Sequence, residues 1–251
     1  MAKSLDKISN TSIKTVEKQL QKYYVATAKR AITDFEATYN KLLATVGDGK
    51  KPTPADLYKL NKYWEAQAQL KKELEKLGNK EIKMLSAIFE TNYFEIYYSI
   101  DLPNNTAFNT IDKKAVQQLI NQVWAADGKS WSERIWDNTS KLLDTLNEGL
   151  IHTVAAGKKT SELKKILQER FNVSYSQADA LVRTEMAHIQ TQAAKQRYTD
   201  YGIQQVEIWA DKDERRCKVC GKLHKKRYPV GAAVPIPAHP RCRCCIVPVV
   251  E

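Results

Sequence analysis

All five cysteines of this 251-residue chain lie in its last 35 residues, and the 216 residues before them hold none. They fall as Cys217-x-x-Cys220, then eighteen residues, then His239-Pro-x-Cys242-x-Cys244-Cys245. Two thiolates three positions apart can chelate one ion from a tight turn, and a second cluster after a loop of this length can complete a tetrahedron. The pattern predicts a metal clip, with zinc as the ion. The amino-terminal MAKSLDKISN lacks the apolar stretch of a signal peptide, and no apolar run approaches the ~20 residues of a membrane-spanning helix. A reducing compartment is therefore expected, where paired cysteines act as metal ligands before they act as disulfides.

Cys217, Cys220, His239 and Cys242 form the favoured ligand set, since His-Pro-Arg-Cys places two ligands on one turn. Cys244 can replace His239 or Cys242. Cys245, adjacent to Cys244, points the other way on an extended strand and is expected as a small buried apolar residue. His224 lies among lysines and is expected to be a solvated loop residue. A structural site is closed by four protein ligands, whereas a catalytic one keeps a position for water. This segment supplies more ligands than one ion needs. It lacks both the zinc-deaminase order, in which His-x-Glu precedes the cysteine pair, and the His-Glu-x-x-His of zinc proteases. Structural zinc is the expectation.

Chain breakers share this polarity. Five of the eight prolines follow Tyr228, which leaves the rest free to form long helices. Apolar residues recur at three-and-four spacing from Ile13 to Leu42, predicting a helix over about 4–45 that ends at Gly47. Thr53 and Pro54 predict the start of a second helix, ending at Gly78. A third fits 80–99, and Pro103 with the asparagines around it breaks the chain over 101–110. Further helices fit 112–125, 130–156 and 160–171. Ser174 or Ser176 caps a last one closed by Gly202, seven in all. Beyond it, strands are expected at 206–209 and 245–250, the second held at an edge by Pro248. The fold class is mainly α: an elongated multi-helix body over 1–156 and a domain over 157–251 that includes a small zinc-stabilised α+β module at about 203–251. Zinc substitutes there for a core that so few residues cannot build alone.

The formal charge is +11. Between Asp211 and Arg243 there are ten Lys and Arg against three acids, so the module concentrates the excess. Arg215, Arg216, Lys225, Lys226, Arg227, Arg241 and Arg243 are the candidate nucleic-acid contacts. A compact cationic surface suits phosphate backbone, bound without base selection.

Arg183-Thr184-Glu185, Tyr198 to Gly202 (YTDYG), Trp209, Asp213-Glu-Arg-Arg-Cys217-Lys-Val-Cys220 and His239-Pro-Arg-Cys242-Arg-Cys244, in this order, resemble the phage head-morphogenesis family of Mu F-like minor head proteins. The resemblance covers about 170–250. It implies a minor component of a tailed-phage head, in the virion interior near the portal and in the host cytoplasm during assembly. Its implied partners are the portal protein, other head proteins (scaffold or major capsid) and double-stranded DNA. A glycine expected after the leucine of Lys222 to Arg227 is absent, and Cys245 is extra. Arg183 or Glu185 is expected to pair with the zinc module.

No enzyme, membrane contact or small-molecule substrate is expected. The alternatives are a nuclease or an ADP-ribosyltransferase-like toxin enzyme, which Arg-Thr-Glu invites, and a cellular zinc-dependent DNA-binding adaptor. Glu251 follows directly on the module, so no appended toxin domain is expected. His188 shares a helical face with Glu185, but a satisfied structural histidine is the expectation.

Overall fold

Lysine, alanine and leucine are the commonest of the first 200 residues, and these residues form fewer and longer helices than the breakers suggest. The computed structural model describes residues 2–47, 49–101, 111–210 and 216–250, with side chains from Thr11 onward. The expected break over 102–110 and the candidate Arg215 lie outside these residues. Among the described residues, α1 (Ala2–Val46), α2 (Pro54–Tyr58), α3 (Asn61–Ser99), α4 (Lys113–Ile120), α5 (Trp131–Ala156) and α6 (Thr160–Asp200) precede a small sheet. The chain is mainly helical, as expected, and among the described residues six helices precede the terminal module where seven were predicted.

Two predicted boundaries disappear. Gly78 lies inside α3 instead of ending a helix. A Cβ there would come within 2.8 Å of the Trp136 ring, so this glycine admits a neighbouring side chain, and strong helix formers on both sides absorb its cost of about 1 kcal/mol. Ser174 lies inside α6, 3 % exposed, and hydrogen-bonds Asn138 instead of a helix terminus. One boundary appears that was not predicted: Thr53 and Asp56 form a reciprocal capping box, yet their helix stops at Lys59. The expected stops at Gly47 and Gly202 hold, and Gly157 ends α5. The backbone at Gly157 and Gly202 adopts φ of +62° and +73°. Lys158 and Ile203 return hydrogen bonds to Thr153 and Tyr198, which satisfies the last carbonyls of α5 and α6.

The chain divides into two compact units, one of residues 1–17, 84–131 and 179–251, the other of 18–83 and 132–178. In the second unit, Tyr24 (α1), Glu81 (α3), Asn138 (α5) and Ser174 (α6) meet in one polar layer between leucine-rich layers. Asn138 donates to the Tyr24 hydroxyl at 3.0 Å and to the Ser174 carbonyl at 3.1 Å. Glu81 is 1 % exposed; its carboxyl reaches Tyr24, while its Oε1 has no hydrogen-bond partner. Burial without a cation pushes its pKa from 4.5 up to about 8.

In the first unit, the Arg197 guanidinium is 1 % exposed, held between the rings of Tyr97 and Tyr201 at 4.9 and 4.3 Å, and it donates to the Ile100 carbonyl. Tyr97 donates to Asp200. These contacts fix the end of α6, from which the sheet departs. Strands β1 (Gln205–Trp209), β2 (Arg227–Pro229) and β3 (Cys245–Pro248) pair antiparallel in the order β2-β1-β3. Val206 and Ile208 point inward, both 0 % exposed, and Pro248 sits on an edge strand opposite Val206. Strand β2 was not predicted; its three residues gain their partners only from β1. No helix among the described residues is long and apolar enough to cross a membrane.

Glu81 binds a proton more tightly in the folded than in the unfolded chain, so its contribution is fully present below pH 4.5 and lost as pH rises through about 8. The slope approaches about 1.4 kcal/mol per pH unit. Glu81→Gln should flatten that dependence and raise the midpoint of thermal unfolding at pH 8, measured by circular dichroism across pH 5–9.

Candidate metal centre

A six-residue helix, α7 (Lys218–Leu223), opens the centre, and the Cys217 thiol is its amino-terminal cap, accepting the Cys220 N–H at 3.2 Å. One helical turn thereby brings Cys217 and Cys220 to the same side. His239 enters from the long loop, its Nε2 3.3 Å from Cys217 Sγ and 3.1 Å from Cys220 Sγ. Its Nδ1 lies 2.8 Å from the Pro240 carbonyl and donates to it, which leaves the Nε2 lone pair facing the thiols. Cys242 Sγ lies 3.8 Å from Cys220 Sγ. The donors form two triads, Cys217–Cys220–His239 and Cys220–Cys242–Cys244, in each of which the ligand atoms lie within 4.8 Å of one another. Cys220 belongs to both. Cys245 is half-buried on β3, opposite Trp209.

The donor set fits zinc. Tetrahedral bonds of ordinary length place two sulfurs about 3.8 Å apart and a sulfur and a nitrogen about 3.5 Å apart. The Cys220–Cys242 separation of 3.8 Å matches the first, and the two Cys–His separations of 3.3 and 3.1 Å fall a little inside the second. Cys217, Cys220 and His239 with Cys242 or Cys244 would hold the ion, which would supply cross-linking of the loop to α7. Protonation is already uneven. Hydrogen bonding from the Cys244 thiol holds Cys242 down at about 5, while burial pushes Cys220 up to about 12. The Cys220 N–H lowers Cys217, and hydrogen bonding to Cys242 raises Cys244.

Helix α6 grips this module through Asp179, Thr184, Lys195 and Tyr198. Arg183 pairs with Asp179 and with Glu17. Glu185 is 2 % exposed and accepts the Trp124 indole N–H at 2.8 Å. The residue between them makes the contact: Thr184 Oγ1 accepts the Arg241 N–H at 3.0 Å. Asp179 receives the Arg241 guanidinium through Nε and Nη2 at 3.1 and 3.0 Å. Arg241 needs this hold, because its backbone takes a φ of +60°, a region costly to a residue with a side chain. Further along, Lys195 Nζ donates to the Ala232 carbonyl and the Tyr198 hydroxyl to that of Ile246. His188 stacks flat on Trp124 at 4.2 Å, and burial lowers its pKa to about 4, so it is neutral packing. His224 is not a solvated loop residue: it is half-buried and accepts the Ala210 N–H at 3.2 Å.

Residues 144–247, which include every cysteine, match the family described as Phage Mu protein F like protein. This segment is similar to the phage Mu F-like family. The match begins earlier than the motifs at 170–250, within α5. The chain is also 25 % identical over 182 residues to NAD(+)–arginine ADP-ribosyltransferase EFV of Enterococcus faecalis, an alignment covering 64 % of this chain and 37 % of that protein. The chain thus spans little more than a third of that relative. No solved structure matches it.

The Mu F-like segment carries the candidate phosphate contacts unevenly. Arg216, Lys225, Lys226, Arg227, Arg241 and Arg243 are all exposed. Arg241 is occupied by Asp179, and Arg227 lies 3.4 Å from Glu207. Arg216, Arg241 and Arg243 line a small hollow with Cys217, Cys220, His239 and Cys244, where guanidinium groups would balance a thiolate-rich ion. Asp179, the role of Thr184 and strand β2 escaped notice in the sequence because each acts through a partner twenty or more residues away.

Elemental analysis of the purified protein should find about one zinc per chain. Cys220→Ser should lose it, whereas Cys245→Ser should keep it, since only Cys220 serves both triads. Asp179→Ala leaves every ligand in place and should instead raise amide exchange over 239–244 by about tenfold.

Proposed function

We propose that the protein is a minor head protein of a tailed bacteriophage with an architectural role. The observation that carries this is the Mu F-like segment, in which the Cys/His cluster and the helix that anchors it lie within one family match. In this reading, zinc holds the terminal module folded and the helices meet portal, scaffold or major capsid protein. Arg216, Lys225 and Lys226 would engage the phosphates of double-stranded DNA without base selection; Arg227, Arg241 and Arg243 would contribute less, having partners of their own. Portal proximity and a place inside the virion follow from the same reading. Purified DNA-filled heads should contain the chain by quantitative mass spectrometry. Its complete absence from heads would sink the proposal.

A second reading is favoured by the Enterococcus relative: transfer of ADP-ribose from NAD+ to arginine. Arg183-Thr184-Glu185 gives it little to work with, since Arg183 is ion-paired, Thr184 holds Arg241 and Glu185 is buried against Trp124. Incubation with labelled NAD+ and an arginine analogue should give no transfer; transfer above background would favour the enzyme.

If the module binds DNA, affinity for random-sequence duplex should fall steeply with salt. Lys225→Glu with Lys226→Glu should weaken it roughly tenfold and flatten the log–log salt slope by about two, since each phosphate contact contributes about one unit. An unchanged slope in a fluorescence-anisotropy titration would remove this loop from the interface.

A further inference from the structure

We propose that the corner joining α2 to α3 is a docking knob for an acidic protein surface, the place where this head protein meets a neighbour. The proposal rests on the head-protein reading for the identity of that neighbour. Its evidence is local and lies entirely in the second unit.

Tyr58 and Trp64 stack on one another with ring centroids 6.2 Å apart and planes at 27°. They remain 44 % and 56 % exposed, a large apolar surface to leave in water. Their arrangement is rigid. The Trp64 indole N–H donates to the Tyr58 carbonyl at 2.9 Å, so its polar atom is already satisfied and what remains outward is ring. Tyr63, 5 % exposed, sets its ring edge against both from below, at 5.6 and 4.9 Å. The Thr53–Asp56 capping box and Pro54 fix the chain entering the corner. Aromatic anchors held in place before binding are what a protein interface rewards, because their ordering cost is already met.

Charge defines the partner. Lys59 and Lys62 flank the rings with side chains 79 % and 47 % exposed, and their acids Asp56 and Glu65 stand no nearer than 3.9 Å. Lys50 and Lys51 are exposed in the preceding loop. The Lys51 methylenes lie 3.6 Å from where a Gly157 Cβ would be, which brings the α5–α6 turn, with Lys158 and Lys159, to the same end of the unit. Carboxylates opposite these lysines, around an apolar contact for the rings, would complement the corner. A nucleic acid suits it less well, since its phosphates would meet Asp56 and Glu65 beside the rings.

The test is copy number in purified heads by quantitative mass spectrometry. It compares wild type with Tyr58→Ala/Trp64→Ala and with Lys50→Glu/Lys51→Glu, all checked for zinc content and thermal unfolding. Both variants should fall at least tenfold. The lysine pair is exposed, so its reversal keeps the test decisive even if the aromatic variant fails to fold. Wild-type incorporation of the folded variants would overturn the knob while leaving the head-protein reading intact. Absence of the wild type itself would overturn both. Normal incorporation with weakened retention on DNA-cellulose would make the corner a nucleic-acid surface and overturn the protein partner.

Discussion

The contact between Arg241 and helix α6 is the one on which the terminal module depends. The module's sheet has three short strands, too few to sustain themselves in water. Arg241 stands between two donors, His239 and Cys242, in a left-handed backbone conformation. Its N–H and its guanidinium are both taken by α6. The helix thus holds in place the turn that presents ligands from the loop, and the ion would join that turn to α7. Two weak supports, a helix-bound arginine and a metal clip, would act on the same turn, from His239 to Cys242.

The second unit shows a different balance. Its layers are mostly leucine and aromatic, yet one layer is polar and draws a residue from each of four helices. A buried carboxyl lacking a cation is costly, and Glu81 meets that cost by remaining protonated. Such a layer penalises sliding, because a shift of one turn in any helix would set polar groups against leucines; this is the same logic by which a single buried polar residue fixes register in coiled coils.

Much of this was legible in the sequence, and the rest was hidden for identifiable reasons. The helical stripes, the stops at Gly47 and Gly202 and the grouping of the five cysteines depend on neighbours close in sequence or on chelate spacing. Gly78 and Ser174 misled because each carries a local meaning, stop and cap, that its neighbour across the bundle overrides. Arg-Thr-Glu pointed to the correct place on α6, where the middle residue also holds the module. The two charged residues turn to Asp179, Glu17 and Trp124, and the threonine between them faces the module. Strand β2 could not be read at all, since its arginine and proline describe a loop until β1 lies beside them.

Cys217 is both a helix cap and a ligand. Because its sulfur accepts the Cys220 N–H, one turn of the centre is shaped by the backbone alone. The chelating pair is therefore set before the second cluster arrives, and this suggests an order of events during maturation. An ion can be caught first by the early pair, then enclosed as the His239 loop settles on α6, so that closure of the site reports that the module has found its helix.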